Sequence, residues 1–71
     1  MKFMNTFAIR CKELRTDKNI SQQTLSEILS VTQQTISKWE KGLREPDIDT
    51  LIKIAEIFGC SVDYLIGYKD F

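Results

Sequence analysis

Six side chains with hydrogen-bonding heads lie together, in the run Thr32-Gln33-Gln34-Thr35 and just beyond it at Ser37 and Lys38. Their heads form hydrogen bonds and contribute little to a core. A glutamine amide carries a donor beside an acceptor, so it can contact adenine N6 and N7 bidentately, and a lysine can donate to guanine O6 and N7. The short hydroxyls of Thr32, Thr35 and Ser37 suit phosphate oxygens or the neighbourhood of a thymine methyl. The competing reading of the two glutamines is a solvated helix face. Catalytic chemistry has little to draw on. The chain holds no histidine, no metal-ligand cluster and no phosphate-cradling glycine loop, and its carboxylates are scattered. The expectation is a protein that is not an enzyme, with no cofactor, no metal and no evident small-molecule ligand.

Two short helices must position that run. Ser21 to Gly42 reads as a helix over about 22–29, a tight turn at Ser30-Val31, and a second helix from Gln33 to Lys41. Leu25 and Leu29, four apart, and Ile36 and Trp39, three apart, form buried stripes. Trp39 shares a face with Ile36 and is read as core rather than as a stacking platform. Ser21 and Thr32 are good cap residues, because a side-chain hydroxyl accepts from an orphan N–H of the first turn.

With those residues in register, the stretch resembles the helix-turn-helix of the Cro and C1 type of phage and bacterial repressors. The resemblance rests on Ser21-Gln22, Leu25, the Ser30-Val31 turn, Thr32-Gln33-Gln34, Ile36 and Trp39-Glu40-x-Gly42. It extends to Leu14-Arg15 upstream and from Pro46 to Gly67 downstream. It implies an all-α, compact five-helix bundle of the lambda-repressor-like type, with the helix-turn-helix at helices 2 and 3. In such proteins the second of these helices lies in the major groove of double-stranded DNA while the first crosses the backbone. The implied base readers are Gln33, Gln34 and Lys38. Gln22, Thr32, Thr35, Ser37, Lys41 and Arg44 are then expected to meet phosphates, with Gln22 also bracing the next helix. Arg15 and Glu40 are implied to form a partly buried ion pair, the alternative being that both are exposed.

Two positions depart from the family pattern. Ser26 stands where alanine is usual, at the contact between helices 2 and 3, and its hydroxyl can bond back to the preceding turn. Ser30 stands where a turn glycine is usual, and positive φ there would cost about 1 kcal/mol.

The remaining sequence supplies the scaffold. Phe7, Cys11 and Leu14, with Phe3 and Ala8 alongside, predict a first helix over 3–17 that begins near Asn5 or Thr6. Asn19 is suited to a left-handed stop after it. Asp47 is expected to cap a fourth helix with an inward stripe of Ile48, Leu51, Ile54, Ala55 and Phe58, ended by Gly59. Ser61 caps a fifth with Val62, Leu65 and Ile66, closed by Gly67. A domain over 1–67 and a short tail over 68–71 follow. Ile28, Ile52, Ile57, Tyr64, Tyr68 and Phe71 exceed what so small a core needs. Relatives in the family commonly pair through helix 5 and the tail, so Ile57, Tyr64, Tyr68 and Phe71 are the candidate dimer surface, and the expected partners are a DNA operator and a second copy.

Charge sharpens the division of labour. The formal net charge is zero, yet residues 1–44 hold eight basic and four acidic side chains, a balance of +4, while residues 45–71 hold two and six, a balance of −4. Such a chain can orient itself on a polyanion; the plain alternative is ordinary solvated surface at both ends. No apolar run approaches a membrane span, and the first residues lack a signal-peptide hydrophobic region. A soluble, cytoplasmic protein without membrane contact is expected. Cys11 and Cys60 read as small core residues, against a disulfide or redox role. The leading function is a sequence-specific DNA-binding regulator, a repressor that occupies a palindromic operator. Against it stands an interaction module that has lost DNA contact; antitoxins and restriction-modification controllers use the same domain.

Overall fold

A computed structural model describes residues 2–71, with side chains from residue 6 onward, so the expectation for the Phe3 side chain lies outside the described residues. Five α-helices run along it: α1 (Lys2–Asp17), α2 (Gln22–Leu29), α3 (Gln33–Glu40), α4 (Ile48–Phe58) and α5 (Val62–Ile66). No described residue is in a strand. Helix α1 starts at Lys2, not at Asn5 or Thr6. Neither residue is needed as a cap, because no proline or glycine precedes them to interrupt the turn.

The other four helices each begin on a side-chain cap. Ser21, Thr32, Asp47 and Ser61 accept from the backbone N–H of Thr24, Thr35, Thr50 and Tyr64, at 3.0, 3.2, 2.8 and 3.0 Å. Each cap residue keeps an extended backbone, so the chain turns sharply into the helix. Left-handed residues end three of them: Ser30 after α2, Gly59 after α4 and Gly67 after α5. Asn19, at φ 57°, turns the chain after α1.

Apolar residues from all five helices meet in one core of Phe7, Cys11, Leu25, Leu29, Ile36, Trp39, Ile54, Ala55, Phe58 and Leu65. Phe7 and Trp39 pack edge to face, with centroids 6.0 Å apart. Helix α3 lies against α1 and α2, and α5 against α1 and α4. Ser26 is buried on α2, and its hydroxyl donates to the Gln23 carbonyl at 2.6 Å. A hydroxyl satisfied within its own helix can therefore be buried at little cost.

One member of the expected inward stripe does not join it. Ile48 is 73% exposed. It occupies the first turn of α4, and Leu51 is the first residue of that stripe to pack against the core. Both cysteines are free. Cys11 is fully buried, whereas Cys60 is half-buried beside the core.

Candidate nucleic-acid interface

Helix α3 rests on the core through Ile36 and Trp39. At 3.6 residues per turn, the arc opposite those two carries Gln33, Gln34, Ser37, Lys38 and Lys41. Gln33, Gln34, Lys38 and Lys41 are exposed and Ser37 is half-buried on the shoulder. None of the heads of Gln33, Gln34, Ser37 or Lys38 is used in a hydrogen bond or ion pair among the described residues. Thr32 and Thr35 differ in this respect. Their hydroxyls lie 2.9 Å apart, and Thr32 also caps the helix, so both are partly committed to local structure.

Gln22, Gln33, Gln34 and Ser37 line one shallow open depression of about 320 Å³ where the start of α2 meets the start of α3. Four of the sequence-predicted contact residues are thus brought together. Lys38 lies one turn further along α3. Arg44 follows in the Gly42–Pro46 link and is exposed. An α-helix with its side chains is about 10–12 Å across, and the major groove about 12 Å wide. The uncovered arc of α3 can enter such a groove without rearrangement.

What fixes α3 is a buried polar hub. Arg15 Nε donates to Glu40 Oε2 at 2.7 Å and its Nη2 to Oε1 at 3.0 Å. The two side chains are only 11% and 4% exposed. Arg15 Nη1 reaches the Ile20 carbonyl at 2.8 Å, and Gln22 Nε2 donates to Glu40 Oε1 at 3.1 Å. The Arg15–Glu40 pair and Gln22 therefore join α1, the α1–α2 loop, the first residue of α2 and the last of α3. Gln22 braces the motif through one amide hydrogen and keeps the second free to donate outward. The same carboxylate acts on a thiol. Burial above all, and then the nearby Glu40 charge, push Cys11 up to about 12, with Arg15 partly opposing.

Sequence reasoning missed Arg10. Its guanidinium lies over the Tyr64 ring, 4.1 Å from the centroid, and donates to the carbonyls of Tyr64 and Lys69, the latter at 2.9 Å. A longer contact reaches Asp70 at 3.5 Å. The signal available was an arginine at the margin of the Phe7–Cys11–Leu14 stripe, where a guanidinium must find acceptors. The tail is held from its other side too. The N–H groups of Tyr68 and Lys69 donate to the Asp63 carbonyl at 2.9 and 3.2 Å, and the Ser61 hydroxyl donates to the Phe71 carbonyl at 3.1 Å. Residues 68–71 are therefore folded against α5 within one chain, and Tyr68 and Phe71 remain 71% and 81% exposed. Of the other candidate dimer residues, Ile57 packs partly against the core and Tyr64 lies under Arg10.

Comparison with known proteins agrees with this geometry. A family model described as helix-turn-helix (HTH_3) matches residues 12–65. The SPbeta prophage-derived uncharacterized HTH-type transcriptional regulator YonR of Bacillus subtilis is 43% identical over 60 residues, covering 84% of this chain and 56% of that protein. The HTH-type transcriptional activator BcrR of Enterococcus faecalis is 38% identical over 64 residues, covering 90% of this chain and 31% of that protein. A third relative, the uncharacterized HTH-type transcriptional regulator MJ0272 of Methanocaldococcus jannaschii, is 34% identical over 61 residues, 86% of this chain and 92% of its own length. Apart from such short relatives, the chain spans about half the length of most of the curated proteins it matches.

Proposed function

The chain belongs to the helix-turn-helix family of Cro/C1-like transcriptional regulators, and from that premise we propose that it recognises a two-half-site DNA operator as a homodimer and represses by excluding polymerase. The observation that carries the reading is the uncommitted polar arc of α3, held rigidly by the Arg15–Glu40–Gln22 hub. Gln33, Gln34 and Lys38 read base edges in the major groove. Gln22, Thr32, Thr35, Ser37, Lys41 and Arg44 meet phosphates, which fix register and orientation without reading sequence. The first turn of α2 adds unpaired N–H groups that favour a phosphate.

Two copies are needed for two half-sites, one helical turn or about 34 Å apart. Tyr68 and Phe71 support a pairing surface at the tail, since large aromatic side chains left in water are recovered by a symmetric contact. Ile57 and Tyr64 contribute at its edge. An activating role is the second reading, and the name of the Enterococcus faecalis relative favours it. A promoter fusion distinguishes them: repression lowers reporter output when an operator overlaps the start site, whereas activation raises it from an upstream operator.

DNA binding at these residues is tested by a salt titration of operator affinity. Each phosphate contact steepens the fall of log affinity with log salt by about 0.9. Arg44→Ala is expected to weaken binding to all sequences and to lower the slope by about 1 per half-site. An unchanged slope removes Arg44 from the phosphate set.

A further inference from the structure

The first turn of α4 leaves an apolar groove that the DNA-reading surface does not use. Phe7, Pro46, Leu51 and Ile66 form its floor and sides, and Ile48, 73% exposed, stands at its lip. Its volume is about 550 Å³ and it is open along one side. Glu45, Asp47 and Asp49 belong to its lining, and among the described residues no basic side chain does. The one basic residue of α4, Lys53, lies beyond the lining and touches the groove's charge only through a small effect on Asp47. None of the groove residues belongs to the proposed DNA contacts.

We propose that this groove docks a segment of another protein that carries a bulky apolar anchor flanked by lysine or arginine. Charge decides the occupant. A second copy placed symmetrically on this face would set Glu45, Asp47 and Asp49 against their own equivalents, and like charges brought together at a contact oppose it. Nucleic acid is repelled by the same carboxylates. A basic, apolar segment meets both features: its anchor removes the groove wall and the Ile48 side chain from water, and its cations answer three carboxylates. The contact is small and electrostatically steered, so weak and salt-sensitive binding is expected.

The test uses the whole chain, ¹⁵N-labelled, titrated with three synthetic octapeptides followed by amide shifts. The first places a central leucine and tryptophan among lysines. The second has the same anchors among glutamates. In the third the lysines remain and serines replace the anchors. The proposal expects saturating shifts confined to residues around Ile48, Asp49, Leu51 and Ile66 with the first peptide alone, weakened several-fold by 0.5 M salt. Ile48→Ser and Asp49→Lys, both at exposed positions, should abolish these shifts while operator binding is unchanged. Shifts from the serine peptide equal to those from the first, shifts centred on another face, or no saturation at millimolar peptide each overturn it. Groove shifts that instead follow dilution of the protein without peptide overturn it in favour of self-association. Because the readout needs no DNA, failure here is separable from failure of the operator reading.

Discussion

Glu40 shows how one carboxylate can tie its own helix to two others. Its carboxylate receives two bonds from Arg15 and one from Gln22, in surroundings nearly closed to water. Removing one partner of such a pair strands the other charge, which costs about 3–5 kcal/mol, whereas replacing both with apolar residues of similar volume is close to neutral. Glu40→Ala is therefore expected to lower stability to denaturant by that amount, and Arg15→Met with Glu40→Leu to recover most of it. The recovered double variant should still bind the operator less well, since nothing then ties Gln22 and the end of α3 together. Full operator affinity in it would reduce the hub to a structural ornament of the bundle. The thiols give a second residue-scale test. A group whose native value is raised above its unfolded value stabilises fully below the latter and loses that contribution as pH rises toward the former. For Cys11 the window opens near the ordinary 9.0 and closes at about 12. Stability of the native chain should fall across that range by more than in Cys11→Ala, after the pH-independent loss from the cavity is set aside. At pH 8, a thiol reagent should modify Cys60 in the native chain, slowly because burial raises its value too, and Cys11 only on unfolding.

At the scale of the elements, local chemistry decides most boundaries. Ser21, Thr32, Asp47 and Ser61 are each followed by an apolar periodic stretch, and α2 to α5 start at the next residue. That is why these starts could be read from sequence, whereas α1, which has no such device, ran past its expected beginning. Ile48 was misplaced for a related reason. Periodicity says which residues share a face but not how far that face is covered, and on α4 the cover begins at Leu51. Arg10 escaped because its acceptors are backbone carbonyls more than 50 positions away, which no pattern of residue types announces. Ser30, by contrast, takes the left-handed conformation that the missing turn glycine suggested, with φ 58°.

Two glycines separate conformation from contact. Gly59 and Gly67 both have positive φ, but a Cβ on Gly59 meets nothing within 4 Å, whereas one on Gly67 would lie 2.6 Å from Thr6 Cγ2 and 3.0 Å from Thr6 Cβ. Gly59→Ala should cost about 1 kcal/mol, the left-handed penalty alone. Gly67→Ala should cost about 1–3 kcal/mol more, from overpacking against a stiff β-branched neighbour. Adding Thr6→Ala should restore part of the difference in thermal melts; equal melting points for the two glycine variants would contradict the close approach of α1 to the end of α5. The α4 cap carries a pH signature as well. The bonds to Thr50, side chain first and then backbone, hold Asp47 below its usual 3.8. A depressed carboxylate stabilises above its unfolded value and loses that contribution as pH falls through the native one. Asp47→Asn should therefore flatten the acid limb of the stability profile below about pH 4.

Across the whole molecule, charge and shape act together. A chain of zero net charge presents a balance of +4 through residue 44 and −4 beyond it. The uncovered face of α3 lies in the first part and the three acidic residues of the groove in the second, a separation that would turn α3 toward a polyanion. The structure measures 28 × 24 × 21 Å, so one copy cannot span two half-sites about 34 Å apart. Sedimentation on the operator should report two chains per site, and Tyr68→Ser with Phe71→Ser should shift the chain toward monomer without loss of fold; a monomer bound to the full operator in the native chain would contradict the dimer. Whether α3 reads sequence through its amide heads is decided by selecting bound sequences from a random DNA pool with the native chain and Gln33→Ala in parallel. The native chain should select a symmetric site and the variant should lose preference at one position per half-site, by about 1–3 kcal/mol. An identical selected motif from both proteins would contradict it.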